Sequence, residues 1–432
     1  MRKTYQIIEY GSFVRDKEVL GYTSLPQNTF DALENFILTN SSKETDALEL
    51  MGLSARKGIG KIITAKNYVG VITMEDGTTI EILPKIYSRE QSTEANTKKL
   101  LVDMLKTLRN APYKSLQTTN LNIEKMSIFD VFIRMFIDEV LFIVKRGLKN
   151  SYETIQANEG VFKGKMKFAG QVRYNYAHKE RCFVEYDEFN LNRAENRLLK
   201  ATLLYLYKST GSAKNKNDIK TLLNSFTEVD TSIDYESDFA RIVPDRNTRD
   251  YASALMWSKV FLMGKSFTSF SGSEIAFALL FPMETLFESY IAAQLRKVLN
   301  ASEYSVSAQD RTYHLFDEPS RKFLMKPDLV VKDKRSDVTY ILDTKWKVLS
   351  DSKPNYGISQ ADMYQMYAYQ KKYSAENVTL IYPYANKTPA DKVVEFHSQD
   401  GVTVRVKFVD LFDVQKSLSN IVRDFMERNI EE

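Results

Sequence analysis

Cysteine is nearly missing from this chain. Cys182 is the single one in 432 residues, which excludes an internal disulfide framework and a cysteine-based zinc site. Histidine is almost as scarce, and His178, His314 and His397 stand too far apart in sequence to suggest a local metal motif. There is no long uncharged apolar run. The most apolar stretch, Ile128 to Val144, carries Asp130, Arg134, Asp138 and Glu139. The first three recur every four residues and write one polar stripe on a packed amphipathic helix, not a membrane span. No apolar segment follows Met1-Arg2-Lys3-Thr4-Tyr5-Gln6, so no secretory signal is read and a soluble, cytoplasmic protein is expected. The formal net charge is only +4, too mild to imply nucleic acid unless charge is locally concentrated. Internal repeats are also lacking. What is present is 43% hydrophobic and 27% charged residues, a globular balance that excludes wholesale disorder, on a length that suggests two to three domains. The chemistry must run on carboxylates, lysines and an oxygen-ligated metal.

The N-terminal part reads as mostly β. Strand-like runs at Tyr68–Met74 and Thr78–Leu83 flank Glu75-Asp76-Gly77, and an Asp-Gly step favours the positive φ angles of a tight hairpin. Pro84 ends the second strand because it cannot donate to the ladder. Upstream, the basic, glycine-rich stretch from Ser54 through Arg56, Lys57 and Lys61 reads as a projecting loop, either structural or partner-contacting. It lacks the phosphate-binding loop spacing. Helical periodicity is predicted at about 97–108, 128–148 and 194–207. Between the last two lies a basic, aromatic stretch with Lys163, Lys165, Lys167, Arg173, Lys179 and Arg181 against the single acid Glu180, interleaved with Phe168, Tyr174 and Tyr176. That mixture suits phosphate contact with stacking, or a solvated face. Lys208 to Lys220 is expected to be a surface loop, and Glu236 to Asp250 a boundary before the C-terminal part.

The informative segment lies further on. Phe323-Leu324-Met325-Lys326-Pro327-Asp328-Leu329-Val330-Val331 and Val338 to Lys347 flank a polar loop, so neighbouring antiparallel strands are predicted. Asp343 and Lys345 are two apart and share a face, and Asp328 on the partner strand reaches it too. Two converging carboxylates repel unless a divalent cation with hard oxygen ligands offsets the cost. Such a cation ligates a phosphate oxygen and an attacking water, while Lys345 orients the water or stabilises the transition state. This is the PD…(D/E)xK pattern of metal-dependent phosphodiesterases. An acid-x-lysine triplet alone arises about once or twice by chance in a chain of this size, and Asp218-Ile219-Lys220 and Asp351-Ser352-Lys353 are discounted because neither follows a hydrophobic strand. A surface hairpin with a salt bridge is the alternative. A helix opening at Pro282 carries Glu284 and Glu288 at the edge of its apolar stripe, and Glu288 is preferred as the carboxylate leaning toward a metal. Asp362 to Tyr369 reads as a helix with Gln365 and Tyr369 on one face, followed by a buried strand at Val378–Tyr382.

Taken together, several segments resemble the McrC family, the nuclease subunit of McrBC-type modification-dependent restriction systems. They are Tyr68–Ile86, Val184–Phe189 running into Asn192–Leu198, Leu286-Phe287-Glu288, Lys326-Pro327-Asp328, Asp343–Lys347 and Asp362–Tyr369. The resemblance implies a mixed α/β (α+β) chain. Its parts would be an N-terminal β-rich region over 1–150 docking on an AAA+ GTPase ring of McrB type, a basic helical middle over 151–270, and a PD-(D/E)xK restriction-endonuclease-like domain over 271–432. It implies catalytic Asp328, Asp343 and Lys345 acting on double-stranded DNA in phage defence. Magnesium would be held by Asp328, Asp343 and the Thr344 carbonyl, and GTP by the partner alone. Glu288 and Gln365 match positions common in related nucleases. The candidate ring contact is Arg56, Lys57 and Lys61. A regulatory scaffold that activates the ring, or a stand-alone repair nuclease or resolvase, are the competing functions.

Overall fold

The apolar runs Tyr68–Met74 and Thr79–Leu83 form the antiparallel pair that the Asp-Gly step predicts. Gly77 turns at φ +82°, and Asp76 Oδ1 accepts from Thr78 N at 2.7 Å, an arrangement that favours these residue types. Thr4–Ile8 joins on one side, parallel to Thr79–Leu83, and Ile275–Pro282 joins on the other, antiparallel to Tyr68–Met74. At that last seam Gly70 sits at φ +141°, and a Cβ there would lie 1.9 Å from the Leu279 carbonyl oxygen. Only glycine lets the two strands close.

The computed structural model describes residues 3–39, 50–74, 76–86, 93–108, 126–243, 248–263, 275–385 and 394–426. They divide into two units, one built from 3–108 together with 275–426 and the other from 126–263. The linear partition at 150 and 270 therefore differs from the contact pattern. Ile128–Arg146 packs with the middle of the chain, and the N- and C-terminal regions share a sheet. Among the described residues no helix is long and apolar enough to cross a membrane.

In the first unit a six-stranded mixed sheet runs in the order Tyr304–Ala308, Leu329–Asp333, Thr339–Thr344, Asn377–Pro383, Thr403–Val409, Val394–His397. The predicted pairing of Leu329–Asp333 with Thr339–Thr344 is antiparallel, whereas Asn377–Pro383 runs parallel to Thr339–Thr344. A parallel return needs a crossover, and Gln360–Tyr373 supplies it as a helix. Its Met366, Tyr369 and Tyr373 pack on Ile341, Val378, Leu380 and Tyr382 in one apolar cluster. The predicted run from Phe323 to Val331 is not one strand. Lys322–Leu324 pairs with His314–Phe316 in a separate two-stranded ribbon, because Pro327 interrupts the ladder before Leu329. A second four-stranded sheet orders Thr23–Leu25, Ser12–Arg15, Gly60–Ala65 and Met51–Arg56.

The second unit packs the helices Ile128–Arg146, Ala194–Ser209, Ala213–Leu223 and Ala252–Met263 beside a three-stranded sheet of Ser151–Glu159, Cys182–Asn190 and Lys165–Met166. The predicted loop 208–220 is largely helix. Ser212 caps it by accepting from Asn215 N, and Asn215, Ile219 and Leu222 are buried, a short stripe masked by the polar composition around it. The polar face of Ile128–Arg146 is met there, with Arg134 paired to Asp218 and Asp138. The expected boundary at Glu236–Asp250 falls inside this unit, where Asp238 of the helix Tyr235–Arg241 pairs with Arg197 at 2.6 Å; residues 244–247 lie outside the described ones.

The Asn192–Leu198 motif has a structural explanation. Fully buried Asn196 donates to the Lys149 and Leu191 carbonyls at 3.0 and 2.8 Å and accepts from Tyr251 Oη at 3.0 Å. Asn196→Leu takes a donor from the Lys149 and Leu191 carbonyls and an acceptor from the buried Tyr251 hydroxyl, which keeps only the Lys149 N–H, so an unfolding free energy lower by about 2–4 kcal/mol is expected. Denaturant unfolding of the full chain checks it; an unchanged midpoint would exclude this role.

Candidate active site

Leu329 pairs with Leu342, so the next step of that register sets Asp328 opposite Asp343 on the same face of the sheet. Asp343 occupies the last turn of pleat before Thr344 and is only 2% exposed. Asp328, just outside its strand, accepts through Oδ2 from both Thr344 N and Thr344 Oγ1 at 2.7 Å. The strand end is thereby tied to the carboxylate opposite it. Lys345 follows, anchored by its N–H on the Ile381 carbonyl at 2.9 Å, and its ammonium lies 2.7 Å from Asp343 Oδ2 and 3.5 Å from Asp362 Oδ1.

The electrostatics follow from burial. Desolvation holds the Asp328 carboxyl above the usual carboxylate range despite the Thr344 hydrogen bonds and the charges of Lys345 and Lys326. Asp343 is raised by desolvation and further by the charge of Asp328. Burial works against the Lys345 ammonium, but Asp343, Asp362 and Asp328 outweigh it and hold Lys345 above the ordinary lysine value. Two desolvated acids thus share one side of the sheet with a single firmly charged amine.

Does this set suit a divalent cation? Asp343 Oδ2 is buried, and among the described residues its close polar partner is the Lys345 ammonium at 2.7 Å. Asp328 Oδ1 has no partner among the described residues. Hard oxygens with free lone pairs are the donors that magnesium takes, and magnesium retains several waters where few protein ligands are offered. Among the described residues no group of three His, Cys, Asp or Glu side chains gathers, so the fit rests on the two aspartates alone.

Glu288, on the helix Met283–Val298, is not drawn into the pair. Its Oε2 accepts from Gln309 Nε2 at 3.1 Å, and Gln309 N donates to the Asp328 carbonyl at 2.8 Å. Glu284 accepts from Asn67 Nδ2 at 2.6 Å. Gln365 donates to Tyr369 Oη at 2.8 Å, and Tyr369 is pushed up to about 12 by burial and by Asp343 nearby. Behind the strand end, buried Trp346 stacks edge-on against Phe287 with centroids 5.4 Å apart.

The family model described as McrBC 5-methylcytosine restriction system component matches residues 63–383, well over half of the chain. The chain belongs to this McrBC component family. Its fold is similar to that of a solved chain described as "Refined half-complex from tetradecameric assembly of Thermococcus gammatolerans McrB AAA+ hexamers with bound McrC", with TM-score 0.68 and 18% identity over 98% of this chain and 100% of that one. A second solved chain, "Cryo-EM structure of the Thermococcus gammatolerans McrBC complex", gives TM-score 0.49 at 18% identity over 69% of this chain and 88% of that one. No curated protein matches.

Within this McrBC component, the remaining sequence candidates fall on the hairpin of Met51–Arg56 and Gly60–Ala65 and in the second unit. Arg56, Lys57 and Lys61 occupy the exposed tip of the hairpin between Met51–Arg56 and Gly60–Ala65, and Lys61 is paired with Glu34 at 2.6 Å. Lys163, Lys165, Lys167, Arg173, Lys179 and Arg181 belong to the second unit. Lys167 is neutralised by Glu185 at 2.7 Å. The Lys163 ammonium lies 3.5 Å from the Tyr186 ring centroid and Arg173 5.3 Å from that of Tyr174. Two site neighbours escaped the sequence reading. Asp362 was legible only as the acid three residues after the helix cap Ser359. Gln309 had no signal at all, although its left-handed backbone at φ +51° joins Glu288, through its side chain, to the Asp328 carbonyl, through its N–H.

Proposed function

We propose that this chain is the DNA-cleaving subunit of an McrBC-type restriction complex and that Asp328, Asp343 and Lys345 are its phosphodiesterase centre. The observation that carries this reading is the placement of Asp328 and Asp343 on one face of adjoining strands, both desolvated, with the Lys345 ammonium between Asp343 and Asp362. A magnesium ion held by the two carboxylates and the Thr344 carbonyl would supply charge neutralisation at the phosphate and acidify a bound water. Lys345 holds its proton at neutral pH and meets the negative charge that develops on the phosphoryl oxygens. Thr344 fixes Asp328 through two hydrogen bonds, so the carboxylate enters the reaction already oriented.

The similar solved fold comes from McrB AAA+ hexamers with bound McrC, which supports an AAA+ ring as this chain's partner; GTP would be bound by that ring. The scaffold reading cannot be separated by removing residues 271–432, because Ile275–Pro282 completes the sheet of Thr4–Ile8, Tyr68–Met74 and Thr79–Leu83. A chemical test serves better. The full chain, reconstituted with its McrB-type partner and GTP, is expected to cut double-stranded DNA with magnesium, to stop when EDTA removes the metal, and to resume on adding magnesium back. Undiminished cutting in EDTA would refute the proposed centre. GTPase stimulation without any DNA cleavage would leave the scaffold reading standing.

A further inference from the structure

The connection between Tyr304–Ala308 and Leu329–Asp333 is not a tight turn. These strands are paired up to Ala308 and Leu329, and the chain between them continues outward as a ribbon in which His314–Phe316 pairs with Lys322–Leu324. Its root is closed by Gln309 N donating to the Asp328 carbonyl and Met325 N to the Tyr313 carbonyl. The returning leg therefore ends on Asp328 itself.

An isolated two-stranded ribbon is at best marginally stable in water, so this one needs support. Tyr313 packs against Tyr373 with centroids 4.6 Å apart, Tyr373 donates to Asp310 at 2.9 Å, and Lys372 pairs with Asp317. Both supporting residues belong to Gln360–Tyr373, the helix that also presents Asp362 to Lys345. The ribbon is thus braced on the same element as the site.

Beyond that root its apolar side chains are largely exposed. Tyr313, Leu315, Phe316, Phe323 and Leu324 are all exposed, Phe323 by 72%, and Phe316 meets Phe323 edge-to-face at 5.9 Å. Arg311, Arg321, Lys322 and Lys326 are exposed as well, and none of them makes an ion pair among the described residues. Against these four cations stand Asp310, which accepts from Tyr373, Asp317, already neutralised by Lys372, and Glu318. A monomeric surface rarely gathers so much apolar area without a partner, and the surplus of unpaired cations selects a polyanion.

We infer that residues 313–325 are a substrate-gripping ribbon that enters a groove of duplex DNA next to the scissile phosphate. A two-stranded ribbon matches the width of the major groove. Arg321, Lys322 and Lys326 would contact backbone phosphates, and Phe316 and Phe323 would press on sugars and base edges. This deepens the nuclease reading above and rests on it for the location of the scissile phosphate.

Two measurements on the full chain with its ring partner test it. In the first, Phe316→p-benzoylphenylalanine is combined with Lys345→Ala, and irradiation is expected to join the chain to DNA close to the cleavage position. In the second, Arg321→Glu with Lys322→Glu is expected to raise KM for DNA about tenfold while kcat changes less than about twofold, with GTPase stimulation and melting temperature at wild-type values. Cross-linking to a second protein chain instead of DNA, or a wild-type KM in the charge-reversed variant, would overturn the proposal. If the wild-type complex cuts no DNA, the nuclease reading fails by itself, and the cross-link still decides whether the ribbon holds DNA.

Discussion

Asp343→Asn is expected to lower DNA cleavage by the reconstituted complex by about a thousandfold or more while making the metal-free chain more stable. The two effects have one origin. Asp343 is held nearly free of water, beside a second acid, with the Lys345 ammonium as its close polar partner. Desolvation and the Asp328 charge both penalise its ionised form, so the neutral isostere suits the folded state better. Without a charge, however, the position loses the donor strength that a divalent ion requires and leaves Asp328 to act alone. Thermal unfolding in EDTA should therefore rank the variant above wild type, with added magnesium narrowing the difference because binding stabilises only the wild-type fold appreciably. Stimulation of the partner's GTP hydrolysis should stay at the wild-type level, since the substitution removes no packing volume. Lys345→Met should lose cleavage comparably, but with the opposite effect on stability, because Asp343 and Asp362 then face each other without the intervening ammonium. Cleavage by Asp343→Asn within about tenfold of wild type would remove Asp343 from the chemistry.

Much of this centre was legible because its signals are local. Asp343 and Lys345 are two residues apart on a strand whose apolar run is unbroken, and the polar turn at 332–337 puts Leu329–Asp333 beside it with only one sensible register. The helix Met283–Val298 announced itself through Leu286, Phe287, Tyr290 and Leu295 at helical spacing, all buried. What escaped depended on contacts distant in sequence. Nothing near Ile275–Pro282 says that it completes a sheet with Tyr68–Met74, so a linear cut separated regions that fold together. The ribbon's second strand, Lys322–Leu324, was hidden at the start of one apolar run, because a strand that pairs outside the main sheet has the same composition as one that pairs within it. Ala213–Leu223 was missed for the converse reason. Three buried side chains, Asn215, Ile219 and Leu222, suffice to seat a helix whose other positions are mostly lysine, asparagine and aspartate. Gln309 and Glu9 could not be found by spacing at all. Each is defined by a partner that only the fold supplies.

Glu9→Gln is expected to stabilise the chain at pH 8 and to leave it unchanged near pH 4.5. Glu9 is fully buried at the end of Thr4–Ile8. Its Oε1 accepts from Lys85 N at 2.8 Å and from Trp346 Nε1 at 2.9 Å, yet desolvation outweighs both hydrogen bonds and pushes the carboxyl up to about 7, with the Glu284 charge adding to the rise. An unfolded glutamate titrates at its ordinary value of 4.5. The folded chain therefore binds this proton more tightly than the unfolded chain does. The stability it contributes is complete below pH 4.5 and is lost as pH rises through about 7. The span between those values corresponds to about 3 kcal/mol. Glutamine keeps an oxygen for both donors but has no charge to desolvate, so its stability curve should be flatter and should cross above wild type between those limits. Glu9→Leu separates charge from hydrogen bonding. It removes the same carboxylate but leaves Trp346 Nε1 and Lys85 N without an acceptor, so it should be less stable than Glu9→Gln at every pH. Urea unfolding of the three proteins from pH 4.5 to 8.5 checks this, and parallel curves for wild type and Glu9→Gln would show that Glu9 does not titrate in this window. Because Trp346 follows Lys345 directly, the loss of its acceptor in Glu9→Leu should also loosen the strand end that carries the ammonium, lowering cleavage at pH values where Glu9→Gln remains fully active.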